Sequence, residues 1–142
     1  MASLLGGMAL ANSGLGTVHG FASVVGGMFE APHGAVCAAL LPHVMEANVQ
    51  ALRRMHPESP SLGRYGEVAG LVFVDSGAAI EDGIRWVAGL CAELGIPRLR
   101  AYGLMRADFP EVVAKTAVAS STKANPVALT PAELTGVLEH AW

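Results

Sequence analysis

A chain of 142 residues is long enough to bury one core without disulfide or metal staples, and short enough to be a single domain. Its composition, 52% hydrophobic and 15% charged with a net charge of −3, points to extensive buried apolar area. Lys and Arg form no cluster beyond Arg53-Arg54, which excludes a nucleic-acid surface. Cys37 and Cys91 stand alone and MASLLGGMALANSG carries no basic leader, a pattern that suits a reducing cytoplasm rather than a disulfide framework.

Helix signals dominate the chain. The small apolar residues from about Ser3 to Ala11 read as a buried helix that Asn12-Ser13-Gly14 stops. Thr17 to Val25 reads as a short helix ended by Gly26-Gly27. A further helix is expected from Pro32 to about Leu52, kinked at Pro42, whose ring removes one hydrogen bond and crowds the carbonyl one turn back. HPESPSLGRYG reads as a surface loop and Leu62–Leu71 as a helix. Leu71-Val72-Phe73-Val74 is the one strand-like run, too short and isolated to build a sheet.

The clearest amphipathic segment is Ala78–Leu94. There Ile80, Ile84, Val87, Cys91 and Leu94 step by four and three, with Glu81, Asp82, Arg85 and Glu93 off the stripe. Asp108-Phe-Pro-Glu111 and Thr130-Pro-Ala-Glu133 each set a capping side chain three residues before a carboxylate, so helices are expected over about Pro110–Ser121 and Pro131–His140. The N-terminal apolar stretch and Ala35–Leu41 are each expected to be too short to span a membrane. The expectation is one all-α domain over 1–142, a bundle of six or seven short helices.

The chemically pointed residues are His19 and His33, fourteen apart in GLGTVHGFASVVGGMFEAPHG. A chain that turns back at the glycine pair brings both imidazoles to one point, an arrangement suited to a divalent transition metal. Gly20 and Gly34 each follow a histidine and are expected to admit close backbone approach. Cys37 lies four residues after His33, on the same helical face. It reads as a small buried thiol before it reads as a ligand. His43 reads as an interhelical or surface residue, His56 and His140 as solvated, and Met8, Met28, Met45, Met55 and Met105 as core fillers.

Gly14-Leu-Gly16-Thr-Val-His-Gly20 misses the dinucleotide fingerprint, because its third glycine is one place late and no strand precedes it. Ser13, Ser23 and Ser59 have no nucleophile elbow around them. Hydrolase chemistry therefore ranks low.

The stretch GLGTVHGFASVVGGMFEAPHGAVCAALLPHVMEANV, with ELGIP and the tail KANPVALTPAEL, resembles the iron-containing (group III) alcohol dehydrogenases, relatives of maleylacetate reductases and dehydroquinate synthase-like enzymes. The resemblance runs from Ala9 to Trp142 and implies the C-terminal helical, metal-binding domain of that family. In the family the metal is held by an aspartate and three histidines, and His19 and His33 match the last two. The aspartate and first histidine belong to a D-x-x-x-H helix expected upstream of Met1, and NAD(P) to a separate nucleotide domain. The family's further histidine, four residues after the first of these ligands, is replaced here by Ser23, a candidate substrate contact.

The resemblance implies iron, with zinc or nickel as alternatives, in a partial site. NAD(P) is expected only if a further domain supplies its site, and the substrate class is a small alcohol or aldehyde. By themselves the 142 residues are expected to be inactive as a dehydrogenase. The competing expectation is a stand-alone metal- or ligand-binding module that forms a homo-oligomer through exposed apolar helix faces. Both readings place it in the cytoplasm, without nucleic-acid or membrane partners.

Overall fold

A computed structural model describes residues 1–74 and 77–142, with only the backbone of residues 2 and 3 described. Among the described residues there are seven α-helices and no strand: α1 (Ala2–Ser13), α2 (Thr17–Met28), α3 (His33–Met55), α4 (Pro60–Phe73), α5 (Ile80–Glu93), α6 (Phe109–Val118) and α7 (Pro131–Ala141). Short 3-10 turns at Leu99–Tyr102, Arg106–Asp108 and Ser120–Ala124 fill the links. The all-α expectation holds, although α3 at 23 residues is not short.

Helix α3 is the spine. It packs against α2, α5 and α7, while α6 covers α2 and α7, and α4 lies on α5. The main core gathers Phe21 and Val25 of α2, Val36, Leu40 and Val44 of α3, Val112 of α6, and Leu134 and Leu138 of α7. Burying each such side chain contributes about 1.5–3 kcal/mol. By length and composition alone α3 could cross a membrane, and half of that stretch is buried inside the protein.

Several boundaries differ from the sequence reading. Helix α2 does not stop at Gly26-Gly27 but runs to Met28, because the glycines only lower helix propensity, by about 1 kcal/mol each. The turn comes at Phe29–Pro32, where Phe29 and Pro32 are extended and Ala31 precedes a proline, which disfavours helical backbone. The expected loop HPESPSLGRYG is largely α4. Ser59 caps it, its Oγ accepting from the Ser61 N–H at 3.3 Å, and Pro60 supplies a preset first turn. The strand-like Leu71-Val72-Phe73 is its last turn, and Val74 closes it in the left-handed region at φ 54°.

Of the two expected capping boxes, one forms. The Thr130 N–H donates to Glu133 Oε2 at 2.7 Å, and Thr130 Oγ1 accepts from the Glu133 N–H at 3.3 Å. Asp108 instead turns upstream and accepts from the Met105 N–H at 2.8 Å, so it caps a 3-10 turn rather than α6. On α5 the stripe Ile80, Ile84, Val87 and Cys91 is half-buried while Leu94 is exposed. Gly83 permits the close crossing of α4, since a Cβ there would stand 3.0 Å from that of Ala69.

The largest departure is α1. It is a helix ended by Gly14 (φ 72°), as read from the sequence, but it is not buried. Leu4, Leu5, Met8 and Leu10 are 65%, 56%, 57% and 48% exposed. Nothing among the described residues packs a face of α1 to any extent. Met55 and Met105 are likewise exposed rather than core fillers.

Candidate metal centre

The rise from His19 to Met28 along α2 is about 14 Å. Past Met28 the chain folds back tightly, the Ala31 N–H donating to the Phe29 carbonyl at 2.7 Å, before Pro32 leads into α3. His33, the first residue of α3, is thereby brought back beside His19. Their ring centroids lie 5.4 Å apart at 48°. Cys37, one turn further along α3, places its Sγ 3.5 Å from His33 Nε2. One donor atom from each of His19, His33 and Cys37 falls within 4.8 Å of the other two. No other group of three such donors is found among the described residues.

His33 is exposed, and His19 and Cys37 are half-buried. Burial, and then the neighbouring His33, hold the His19 imidazole below its ordinary value of 6.5, so its lone pair is free at neutral pH. Burial pushes the Cys37 thiol up. Neutral imidazoles and a thiol beside an apolar core are donors that a transition ion accepts, so the residues present fit a divalent metal. Cys37, expected as a small buried thiol, is half-buried and lies beside both histidines.

Two devices fix His19. Gly20 presses α2 onto the Ser120–Ala124 turn so closely that a Cβ would stand 2.0 Å from Thr122 Oγ1, as its position after a histidine led one to expect. Gly34 has open space around it and plays no such part. Two residues before His19, the Thr17 N–H donates to Asn125 Oδ1 at 3.1 Å. Asn125 Nδ2 donates to Asn48 Oδ1 and to the Val127 carbonyl, both at 2.7 Å, and Asn48 Nδ2 donates to Tyr65 Oη at 3.1 Å. This network ties the start of α2 to α3, α4 and the segment before α7.

A cleft of about 560 Å³ runs from His19 and Cys37 past Leu41 and Met45 to Asn48, Tyr65 and Asn125. Thr17 lines it too. Its Oγ1 is buried without a hydrogen-bond partner among the described residues. Ser23 donates to the Gly20 carbonyl at 2.9 Å within its own helix. His56 is exposed, while His43 and His140 stack at 5.6 Å away from this cluster.

The whole chain, residues 1–142, matches the model of the C-terminal region of the Fe-containing alcohol dehydrogenase family. The chain belongs to that family. It is 35% identical to 1,3-propanediol dehydrogenase of Klebsiella pneumoniae, over 99% of this chain and 36% of the relative. It is 36% identical to alcohol dehydrogenase 4 of Saccharomyces cerevisiae, over 99% and 35%. The crystal structure of a 1,3-propanediol oxidoreductase superposes with a TM-score of 0.85 at 31% identity, over 99% of this chain and 36% of that one. The chain thus spans about a third of the length of these relatives, with the helical fold of their C-terminal region.

Sequence reasoning found the two histidines of this family member and missed what holds them. Asn125 lies 108 residues from Thr17 and 77 from Asn48, and no local pattern announces a pairing at that range. The one available signal was Asn48 itself, an amide in the apolar register of α3 that must find a buried partner.

Proposed function

We propose that this chain forms the metal-bearing helical wall of an alcohol or aldehyde oxidoreductase site, with the NAD(P) hydride acceptor bound by residues outside these 142. The observation that carries the reading is the convergence of His19 and His33, from two helices, on one point. Membership in a family named for its iron supports it. A divalent cation held here would supply Lewis acidity toward an alcohol oxygen.

The chain's own residues do the positioning. His19 and His33 would hold the cation, with Gly20 and Asn125 fixing the helix that carries His19. Leu41 and Met45 exclude water from one side of the cleft. The Tyr65 hydroxyl gives a small polar substrate a partner at its inner end, and Ser23 is a further candidate contact. We place the protein in the cytoplasm, on the strength of its two free cysteines.

The test is metal uptake by the purified 142-residue chain. It is expected to bind one divalent ion per chain, and His19→Ala or His33→Ala each to weaken binding by about 100-fold or more, beyond the 10–100-fold typical of outer-shell residues. With ethanol or 1,3-propanediol and NAD(P)+ the chain alone is expected to transfer no hydride. Unchanged metal affinity in both variants overturns the assignment of the site.

A second reading rests on α1, where Leu4, Leu5, Met8 and Leu10 are exposed. A second copy that covers them makes the chain a homo-oligomeric binding module without redox activity. Light scattering separates the two: a dimer that Leu4→Glu dissociates supports the module, and a monomer rejects it.

A further inference from the structure

We infer that Cys37 is a third ligand of this metal centre, so that the chain presents a face of two nitrogens and one sulfur suited to zinc rather than to iron. The inference rests on the metal-binding reading above and deepens it. Distance is the first argument. Zinc bonds of about 2.0–2.1 Å to imidazole and about 2.3 Å to thiolate, set at the tetrahedral angle, hold nitrogen and sulfur about 3.5–3.6 Å apart. Cys37 Sγ lies 3.5 Å from His33 Nε2.

That contact alone is one that a thiol and an imidazole four residues apart on any helix can make. The arrival of His19 from α2, with all three donors inside 4.8 Å, makes it a face. Both α3 donors stand on the spine helix of the fold, one turn apart, so no loop has to move to bring them together.

The consequence is selectivity. Oxygen and imidazole donors suit iron, whereas a thiolate is a soft donor that favours zinc. Every nitrogen–sulfur site ranks zinc above ferrous iron to some degree, so the informative quantity is how far that ratio depends on Cys37.

Cobalt(II) titration of the 142-residue chain tests this. Wild type and Cys91→Ser are expected to show a sulfur-to-cobalt charge-transfer band in the near ultraviolet. Cys37→Ser is expected to lose the band while its histidines still bind cobalt. Cys37→Ser is also expected to weaken zinc by about 100-fold or more and to lower the zinc-to-iron affinity ratio by at least about tenfold, beyond an outer-shell effect. Cobalt bound without the band in wild type overturns the role of Cys37 and leaves the histidine site standing, whereas no cobalt bound overturns both. If Cys37→Ser loses wild-type helicity, alkylation of wild type decides. Zinc is expected to slow modification of Cys37 relative to Cys91, and equal slowing or none overturns the proposal.

Discussion

The molecule carries two histidine pairs of nearly equal spacing and unequal chemistry. His19 and His33 stand 5.4 Å apart with rings tilted at 48°, and His43 and His140 stand 5.6 Å apart, close to parallel at 25°. The tilted pair has a third donor, Cys37, within reach. The stacked pair has Glu46 and Arg98 beside it, one opposing and one adding to the charge repulsion between the rings. Centroid distance therefore does not make a metal site. Convergence of donor atoms does, and it comes from a helix start meeting another helix rather than from two rings packed face to face.

The largest expected effect tests that distinction directly. A His43→Ala/His140→Ala double variant is expected to keep zinc affinity within about twofold of wild type, whereas the loss of one convergent imidazole removes a bond to the ion. Isothermal titration of the double variant reads the outcome. A loss comparable to that of His33→Ala shows the stacked pair to be a metal site as well, and the contrast fails.

A second, smaller effect asks what keeps the tilted pair in place. Gly20→Ala forces a methyl against Thr122 Oγ1, and the hydroxyl is held there by donating to the Thr116 carbonyl at 2.9 Å. Overpacking of this kind is expected to destabilise the fold by about 1–3 kcal/mol. It also moves His19, the adjacent residue, so metal affinity falls with stability. Gly34→Ala, beside the other histidine, meets nothing within 4 Å and adds helix propensity, and is expected to be neutral or stabilising by up to about 1 kcal/mol. Urea unfolding of the two variants checks the difference, and equal midpoints contradict it.

How much of this was legible in the sequence follows from range. His19, Gly20, His33 and Cys37 sit within nineteen residues, and helix pitch plus one turn suffices to bring them together. The turn itself was misplaced by a few residues, because two glycines weaken a helix without ending it, while a tight turn before a proline does end it. Ser59-Pro60 was a readable helix start, obscured by the prolines and serines around it. Asp108 had a backbone donor three residues away on either side and took Met105 upstream rather than Glu111. The Asn125 network closes over 77 and 108 residues, beyond any local pattern. The burial expected of α1 depended on partners not found among the described residues.

The smallest effect belongs to the stacked pair. Burial first, then His140, with Arg98 adding and Glu46 on α3 opposing, hold the His43 imidazole below its ordinary 6.5. As pH falls from neutrality the unfolded chain takes up this proton first. Between the ordinary value and the lowered folded value the unfolded state carries more protons, so stability drops as pH falls through that window and levels off beneath it. Above 6.5 the full stability is present. His19 shifts in the same direction, so the measurement is made on metal-free chain with a chelator present. Replacing His140 by Gln removes the charge on α7 while keeping a polar side chain of similar reach. His43 is then expected to titrate closer to 6.5, and the loss of stability between about pH 7.5 and about 5.5 to shrink. Imidazole NMR titration with urea midpoints across that range reads both quantities. An unmoved His43 curve shows that burial and Arg98 lower it and that the stacked ring does nothing.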